Sequence, residues 1–364
     1  MPFFRDWGGL ALAQILLLNA WFMFWNCVLE VPTGAVADRF GRRASLLLGL
    51  AIGALATLIY VSAPRLEVFL LAEVAMALAY TLISGADEAL LYDSLVAAGR
   101  AHEAKRAIAR LESAKLLGIV LGALGGAALT GFLPLRGILA LQALPMGLAA
   151  LVALALVEPP TTEPRAGRAS LTRVAREGLG LVLASPALRR LSLDMVSVGA
   201  LSFLVIWLYQ PLLEAAGIPV GGFGPVHVAL SLGQIAVLHA ADRLEDALGS
   251  RSRVLLVCAL AAGLGWIALG VVRPPWAVVP LVVLVASFGL ARGPLLAASL
   301  HRHIPSERRA TALSGISMLR TLAIVIANAL AGLGAQTSLH ATAVGIGVVL
   351  VALAFGARAQ RDLL

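Results

Sequence analysis

Long apolar stretches separated by short polar ones dominate the pattern along this chain. Each stretch is long enough to cross the hydrocarbon core of a bilayer as a helix, which takes about 20 residues. The third stretch is expected to run on helically through polar turns to about Ser94. The pattern predicts an all-α membrane protein with about 11 spans, near residues 9–33, 44–62, 66–86, 107–131, 137–157, 191–213, 221–241, 253–272, 276–297, 310–334 and 340–357.

Composition supports lipid as the solvent, since 60% of the 364 residues are hydrophobic and 13% are charged, against about a quarter charged in soluble domains. The net charge is +8, but the basic residues lie between spans and lack the interleaved aromatics of a nucleic-acid surface. If the loop after the first span is cytoplasmic, nearly all Lys and Arg are cytoplasmic, the exceptions being Arg5, Arg65, Arg136 and Arg273. This positive-inside bias predicts a multi-pass topology with a cytoplasmic C-terminus.

Cysteine and histidine give no sign of a metal or cofactor site. Cys27 and Cys258 lie in apolar spans, where a thiol usually packs as a small hydrophobe. His227 and His239 are interpreted as core residues rather than ligands, and His301 and His303 lack further ligands at zinc spacing. We therefore expect no cofactor and no metal.

The chain divides into two hydrophobic halves, 1–157 and 191–364, joined by an arginine- and proline-rich cytoplasmic linker over 158–190. Within the linker, Ser170 is expected to cap a short amphipathic helix with Leu171 and Leu181 on its apolar face. A helix lying on the membrane surface is favoured over a regulatory site.

A weak internal repeat relates the halves, because the segment 38–43 is echoed by Asp242-Arg243 and by Gly249-Ser250-Arg251. Two spans precede this loop in the second half, and one precedes it in the first. A repeat of six helices per half predicts that the first helix of the first half is absent from this chain. The alternative is a genuine start on the outer side.

The segment from Gly34 to Arg43 has the sequence GAVADRFGRR and resembles the signature loop between the second and third helices of the major facilitator superfamily. Residues 303–311 are similar to the loop before that family's eleventh helix, and 29–34 and 84–94 resemble a poorly characterised bacterial branch. The resemblance implies a two-bundle fold with 12 helices in the full family, in a bacterial cytoplasmic membrane.

The signature segment is expected to act as a conformational latch on the cytoplasmic side. Gly41 supplies the turn, and the family implies that Asp38 meets the positive N-terminus of a helix beginning near Ala310. The basic residues pair with acids such as Asp93 or with lipid headgroups. The alternative is a purely topogenic arginine cluster, and the latch residues are Gly34, Asp38, Arg39, Gly41, Arg42 and Arg43.

Charged residues deep in spans are the candidates for proton coupling, because a charge at the bilayer centre costs roughly 2.5–3.5 kcal/mol on insertion scales. The family resemblance favours Asp87, Asp194 and Arg292, since its fourth, seventh and tenth helices line the central cavity. Structural ion pairs, such as Glu88 with Lys115, are an equal alternative. The full set is Asp87, Glu88, Glu112, Lys115, Asp194 and Arg292.

Amides, hydroxyls and aromatics within the spans are the candidates for lining a cavity. Tyr80, Ser84 and Asp87 recur at helical spacing and are expected to share a face. Interfacial anchoring explains Trp207 equally well. The cavity-lining candidates are Asn19, Trp25, Asn26, Tyr80, Ser84, Trp207 and Gln210.

The resulting functional hypothesis is a secondary transporter that moves a small solute by alternating access, with efflux favoured and proton coupling expected. ATP hydrolysis is excluded, because the chain's two lysines follow Ala104 and Ala114 and complete no phosphate-binding loop. An enzyme is not expected. A non-transporting sensor or scaffold and a small-metabolite uptake permease are the alternatives. Expected partners are the substrate, membrane lipid and, with coupling, protons, and the chain is expected to be monomeric.

Overall fold

A computed structural model of the chain describes residues 1–159, 171–304 and 309–356. Within these residues the regular structure is helical throughout. A π-helical turn at Phe3–Trp7 comes first, and the α-helices are α1 Leu12–Phe40, α2 Arg42–Tyr60, α3 Leu66–Ile83, α4 Ala86–Ala97, α5 Ala104–Leu129, α6 Leu135–Leu141, α7 Ala143–Leu154, α8 Leu171–Ala184, α9 Pro186–Phe203, α10 Val205–Ala215, α11 Phe223–His239, α12 Ala241–Leu248, α13 Arg251–Val271, α14 Pro275–His303, α15 Arg309–Thr337 and α16 Leu339–Gly356.

Ten helical stretches in this described part of the chain are long and apolar enough to cross a membrane. The 26-residue helix α5 adds another of sufficient length. The predicted fold class, all-α with about 11 spans, is therefore confirmed. Helix α8 occupies the place of the predicted interfacial helix, while its predicted cap Ser170 and the rest of 160–170 lie outside the described residues.

Two boundaries differ from the sequence-based expectation. The first span continues as α1 to Phe40, so most of the signature segment is helical rather than a loop. The third span breaks after Ile83, because Gly85 takes a left-handed conformation with φ of 76° before α4 begins. The expectation that Tyr80, Ser84 and Asp87 share one helix face is therefore wrong, since a change of helix separates Asp87 from the other two.

The helices group into two compact units. The N-terminal unit contains Phe3–Leu10 and Trp21–Leu171, and the C-terminal unit contains Met1–Pro2, Ala11–Ala20 and Thr172–Leu364. In the first, α2 packs against α3 and α7, and in the second, α13 packs against α14 and α16. These units describe packing alone, and the predicted domain boundaries at 157 and 191 stay a prediction.

Candidate functional site

A single residue, Gly41, connects α1 to α2 in the signature segment. Its φ is 96°, a conformation that side chains disfavour. A Cβ added there would lie 2.8 Å from the carboxyl carbon of Glu158. Both the turn and the close approach of Glu158 therefore require glycine at this position.

Glu158 caps the N-terminus of α2. Its two carboxylate oxygens accept hydrogen bonds from the backbone N–H groups of Arg42, at 2.9 Å, and Arg43, at 2.7 Å. The first N–H groups of a helix have no partner inside the helix, and a carboxylate also complements the positive end of the helix dipole. Sequence reasoning did not single out Glu158, although an acid directly after an apolar span was the available signal.

The arginines of the signature segment connect α2 to two further helices of the N-terminal unit. Arg42 pairs with Asp93 of α4 at 3.3 Å, an acid expected as a partner. The guanidinium of Arg43 donates to the carbonyl of Leu154 at 2.6 Å, at the end of α7. Cations suit a helix C-terminus, where carbonyl groups lack partners.

The remaining members of the predicted latch lie in the last two turns of α1. Gly34 is buried, Asp38 is half-buried, and Arg39 is exposed. The guanidinium of Arg39 lies 5.4 Å from the ring centre of Phe40. The contact expected between Asp38 and the helix beginning near Ala310 stays a prediction, because Ala310 lies among side chains that are not described.

Three carboxylates surround the ammonium of Lys115 in the N-terminal unit. The distances are 2.8 Å to Asp87, 3.9 Å to Glu88 and 2.7 Å to Glu112. We call these four residues the Lys115 cluster. Asp87 and Glu88 belong to the first turn of α4, where acids complement the helix dipole, and Glu112 lies one turn before Lys115 on α5. The break at Gly85 therefore places two acids beside the cation.

Among the described residues of the C-terminal unit, Arg292 and Asp194 form a buried ion pair. The guanidinium of Arg292 lies 2.6 Å from the Asp194 carboxylate, and both side chains are almost completely buried. Arg292 also donates through Nε to the carbonyl of Leu255 at 3.2 Å. Helix α9 begins at Pro186, so Asp194 lies about two turns inside it. Helix α14 continues to His303, so Arg292 lies about three turns before its end.

Aromatic rings form a patch in the N-terminal unit. Trp21 and Trp25 meet at 5.6 Å, Phe24 lies 5.8 Å from Trp25, and Phe22 lies 6.2 Å from Tyr80. We call these five residues the aromatic patch. The indole N–H of Trp25 has no hydrogen-bond partner among the described residues. The predicted cavity residue Trp25 thus contacts Trp21 and Phe24, while Tyr80, another such residue, belongs to a separate ring pair with Phe22.

The other cavity candidates occupy different environments. Asn26 is half-buried and Ser84 is exposed, while Asn19 is buried. The amide oxygen of Asn19 has no hydrogen-bond partner within the described part of the chain, nor has the indole N–H of Trp207. These assignments to a cavity stay predictions.

Gln210 belongs to a hydrogen-bonded group in the C-terminal unit. Its Nε2 donates to the hydroxyl of Tyr209 at 3.0 Å, and that hydroxyl lies 3.3 Å from Nδ1 of His227. His227 is therefore partnered, in agreement with its interpretation as a core residue, whereas His239 is exposed and its interpretation as a core residue is wrong. Tyr209 is buried.

Sequence reasoning also missed Glu73, a buried acid in α3. The signal was present, since Glu73 is the one charged residue between Val68 and Ile83, in the interior of α3.

Comparison with known proteins gives one consistent result. The family model of the Major Facilitator Superfamily matches residues 5–328. Two crystal structures of the nucleoside transporter NupG, one of them a mutant, share the fold with a TM-score of 0.83 and 15% sequence identity. The match covers 98% of this chain and 93% or 92% of theirs. The family model spans most of the chain and its signature segment is present, so the chain belongs to the Major Facilitator Superfamily.

Proposed function

We propose that this membrane transporter exports a small amphipathic solute and couples the movement to protons. The transporter works by alternating access, and the linker over 158–190 joins its two bundles, 1–157 and 191–364. The protein resides in a bacterial cytoplasmic membrane with its C-terminus inside, in keeping with the arginine-rich loops.

The Lys115 cluster is the observation that carries proton coupling. Three carboxylates compete for one ammonium, with Asp87 and Glu112 at about equal distance. A proton on one of them releases that carboxylate from Lys115 while the others retain the cation. The cluster can therefore exchange partners without leaving the ammonium of Lys115 unpaired.

The aromatic patch supports an amphipathic cargo. Its rings offer flat apolar surface, and the unpartnered indole N–H of Trp25 offers a hydrogen-bond donor. Aromatic faces also attract organic cations. Exposed ring surface at Phe24 and Tyr80 leaves room for such a contact.

The latch is proposed to act through Asp38. Asp38→Asn is expected to insert and fold as the wild type does, because the change removes a charge near a helix end without altering side-chain volume. Transport is expected to fall at least tenfold, measured as the initial rate in reconstituted vesicles. A rate equal to that of the wild type would remove the latch from the mechanism.

Proton coupling is testable in proteoliposomes that contain the full chain, with ethidium as an amphipathic cation. An imposed proton gradient should drive ethidium against its own gradient. In Asp87→Asn the gradient should lose most of its effect, because the variant carries no proton at this position.

Glu103→Gln is the matched control. Glu103 forms an exposed, bidentate pair with Arg100 outside the spans, and this hydrogen bonding lowers the pKa of Glu103. The control should respond to the gradient as the wild type does. Persistence of the full gradient effect in Asp87→Asn would refute coupling through the cluster.

Uptake of a polar metabolite is the second candidate. The amides of Asn19 and Gln210 suit a polar solute, and the structural neighbours are nucleoside transporters. Counterflow of uridine without counterflow of ethidium would favour this candidate. Binding of either compound without counterflow would favour a sensor.

A further inference from the structure

Glu73 lies in the third turn of α3 with 7% of its surface exposed. It follows Leu66, the first residue of α3, by seven positions, so it lies roughly 10 Å along the helix axis. Phe69 and Ala77, one turn before and one turn after, are completely buried. A carboxylate in such apolar surroundings is costly unless a cation pairs with it.

The polar group that faces Glu73 is the hydroxyl of Tyr60, at the end of α2. Tyr60 is itself buried, and its ring lies 5.9 Å from that of Phe4. A phenol hydroxyl is neutral and both donates and accepts hydrogen bonds. It can satisfy a carboxylic acid fully, whereas it offers a carboxylate one donor and no charge.

The cation of the neighbouring helix α6 is engaged elsewhere. Arg136 of α6 donates through Nε to the carbonyl of Val61 at 2.9 Å. Its guanidinium also lies 5.2 Å from the ring centre of Trp7. None of the ion pairs found among the described residues includes Glu73.

Other charged groups on the neighbouring elements face away or lie far along the helices. Arg5 of the π-helical turn pairs with Asp6. Arg65 and Glu67 at the outer end of α3 are exposed. Asp87 and Glu88 of α4 belong to the Lys115 cluster, about four turns further along the chain, and Asp93 of α4 pairs with Arg42. Helix α7 carries no titratable side chain.

We propose that Glu73 and Tyr60 form a proton-binding site in which the carboxyl of Glu73 carries a proton at neutral pH. The proton comes from water and returns to water when the site opens, and no other bond changes. The site is separate from the Lys115 cluster. The proposal holds whether or not the Lys115 cluster couples transport to protons.

Infrared spectroscopy of the full chain in lipid nanodiscs at neutral pH tests this proposal directly. The difference between wild type and Glu73→Gln should contain one lost carbonyl band of a carboxylic acid. Carbon-13 labelling of glutamate should shift that band. Loss of carboxylate bands instead, or no loss of an acid band, would overturn the proposal.

Glu67→Gln is the matched control on the same helix, and it should remove carboxylate bands because Glu67 is exposed to water. Tyr60→Phe provides an independent test if Glu73→Gln fails to insert. It should move the acid band to higher frequency, since the hydrogen-bond partner is gone. An acid band that stays in place in Tyr60→Phe would contradict the pairing.

Discussion

In the C-terminal unit, Asp194 and Arg292 meet at 2.6 Å with 3% and 5% of their side chains exposed, whereas in the N-terminal unit Lys115 is 40% exposed and has three carboxylate partners. The first arrangement offers each charge one charged partner and keeps water out. The second offers alternatives and is partly exposed. The comparison teaches that a buried pair leaves its charges no alternative partner, while a partly exposed cluster allows its cation to change partners.

The two units also differ in how far along the chain the capping residue lies from its helix. Helix α13 is capped locally, since Ser250 accepts from the N–H of Arg253 at 3.4 Å. Helix α2 is capped by Glu158, from 116 positions away in the chain. A local cap forms with its helix, whereas the distant cap also ties the end of the first half to the signature segment.

The largest effect is expected from Arg292→Met. The variant leaves the Asp194 carboxylate buried without its cation, which costs about 3–5 kcal/mol. Thermal unfolding in detergent, followed by size-exclusion chromatography, should show a large loss of stability or no folded protein.

The double variant Arg292→Met with Asp194→Leu provides the control, because a buried pair replaced by apolar side chains is often neutral. Recovery of most of the lost stability is expected. If Arg292→Met alone were as stable as the wild type, the contrast between the two units would be lost.

Glu158→Ala is expected to have an intermediate effect. It removes both acceptors from the first turn of α2, at a cost of about 1–2 kcal/mol. Ser250→Ala should lower the free energy of unfolding less, by about 0.5–1 kcal/mol, because the hydrogen bond that Ser250 accepts is long and neutral. Denaturation in the same detergent compares the free energies of unfolding of the two variants. Equal losses would show that the distant cap stabilises the protein no more than the local one.

The smallest change in stability is expected from Asp87→Asn. Glu88 and Glu112 still accompany Lys115, and partly exposed pairs contribute below about 1 kcal/mol. The same variant should nevertheless lose its response to a proton gradient. If Asp87→Asn failed to fold, the Lys115 cluster would be a structural element, as the buried pair of Asp194 and Arg292 is.

The spans were predictable because apolar length alone decides which segments enter lipid. The signature segment was recognisable as a local pattern from Gly34 to Arg43. The cap from Glu158 was not predictable, because local patterns carry no information about which distant carboxylate meets a helix end. The sequence likewise gave Lys115 several possible partners, and the break at Gly85 decided that Asp87 is among them.

The position of Glu158 bears on how the protein can be divided into two co-expressed fragments. A first fragment that ends at residue 157 would leave the leading amides of α2 without their acceptor. A fragment extended past Pro159, with the cut inside 160–170, retains the carboxylate and should reassemble with its complement more efficiently. The first half therefore needs the chain as far as Pro159, two residues beyond the boundary at 157 that hydrophobicity alone indicates.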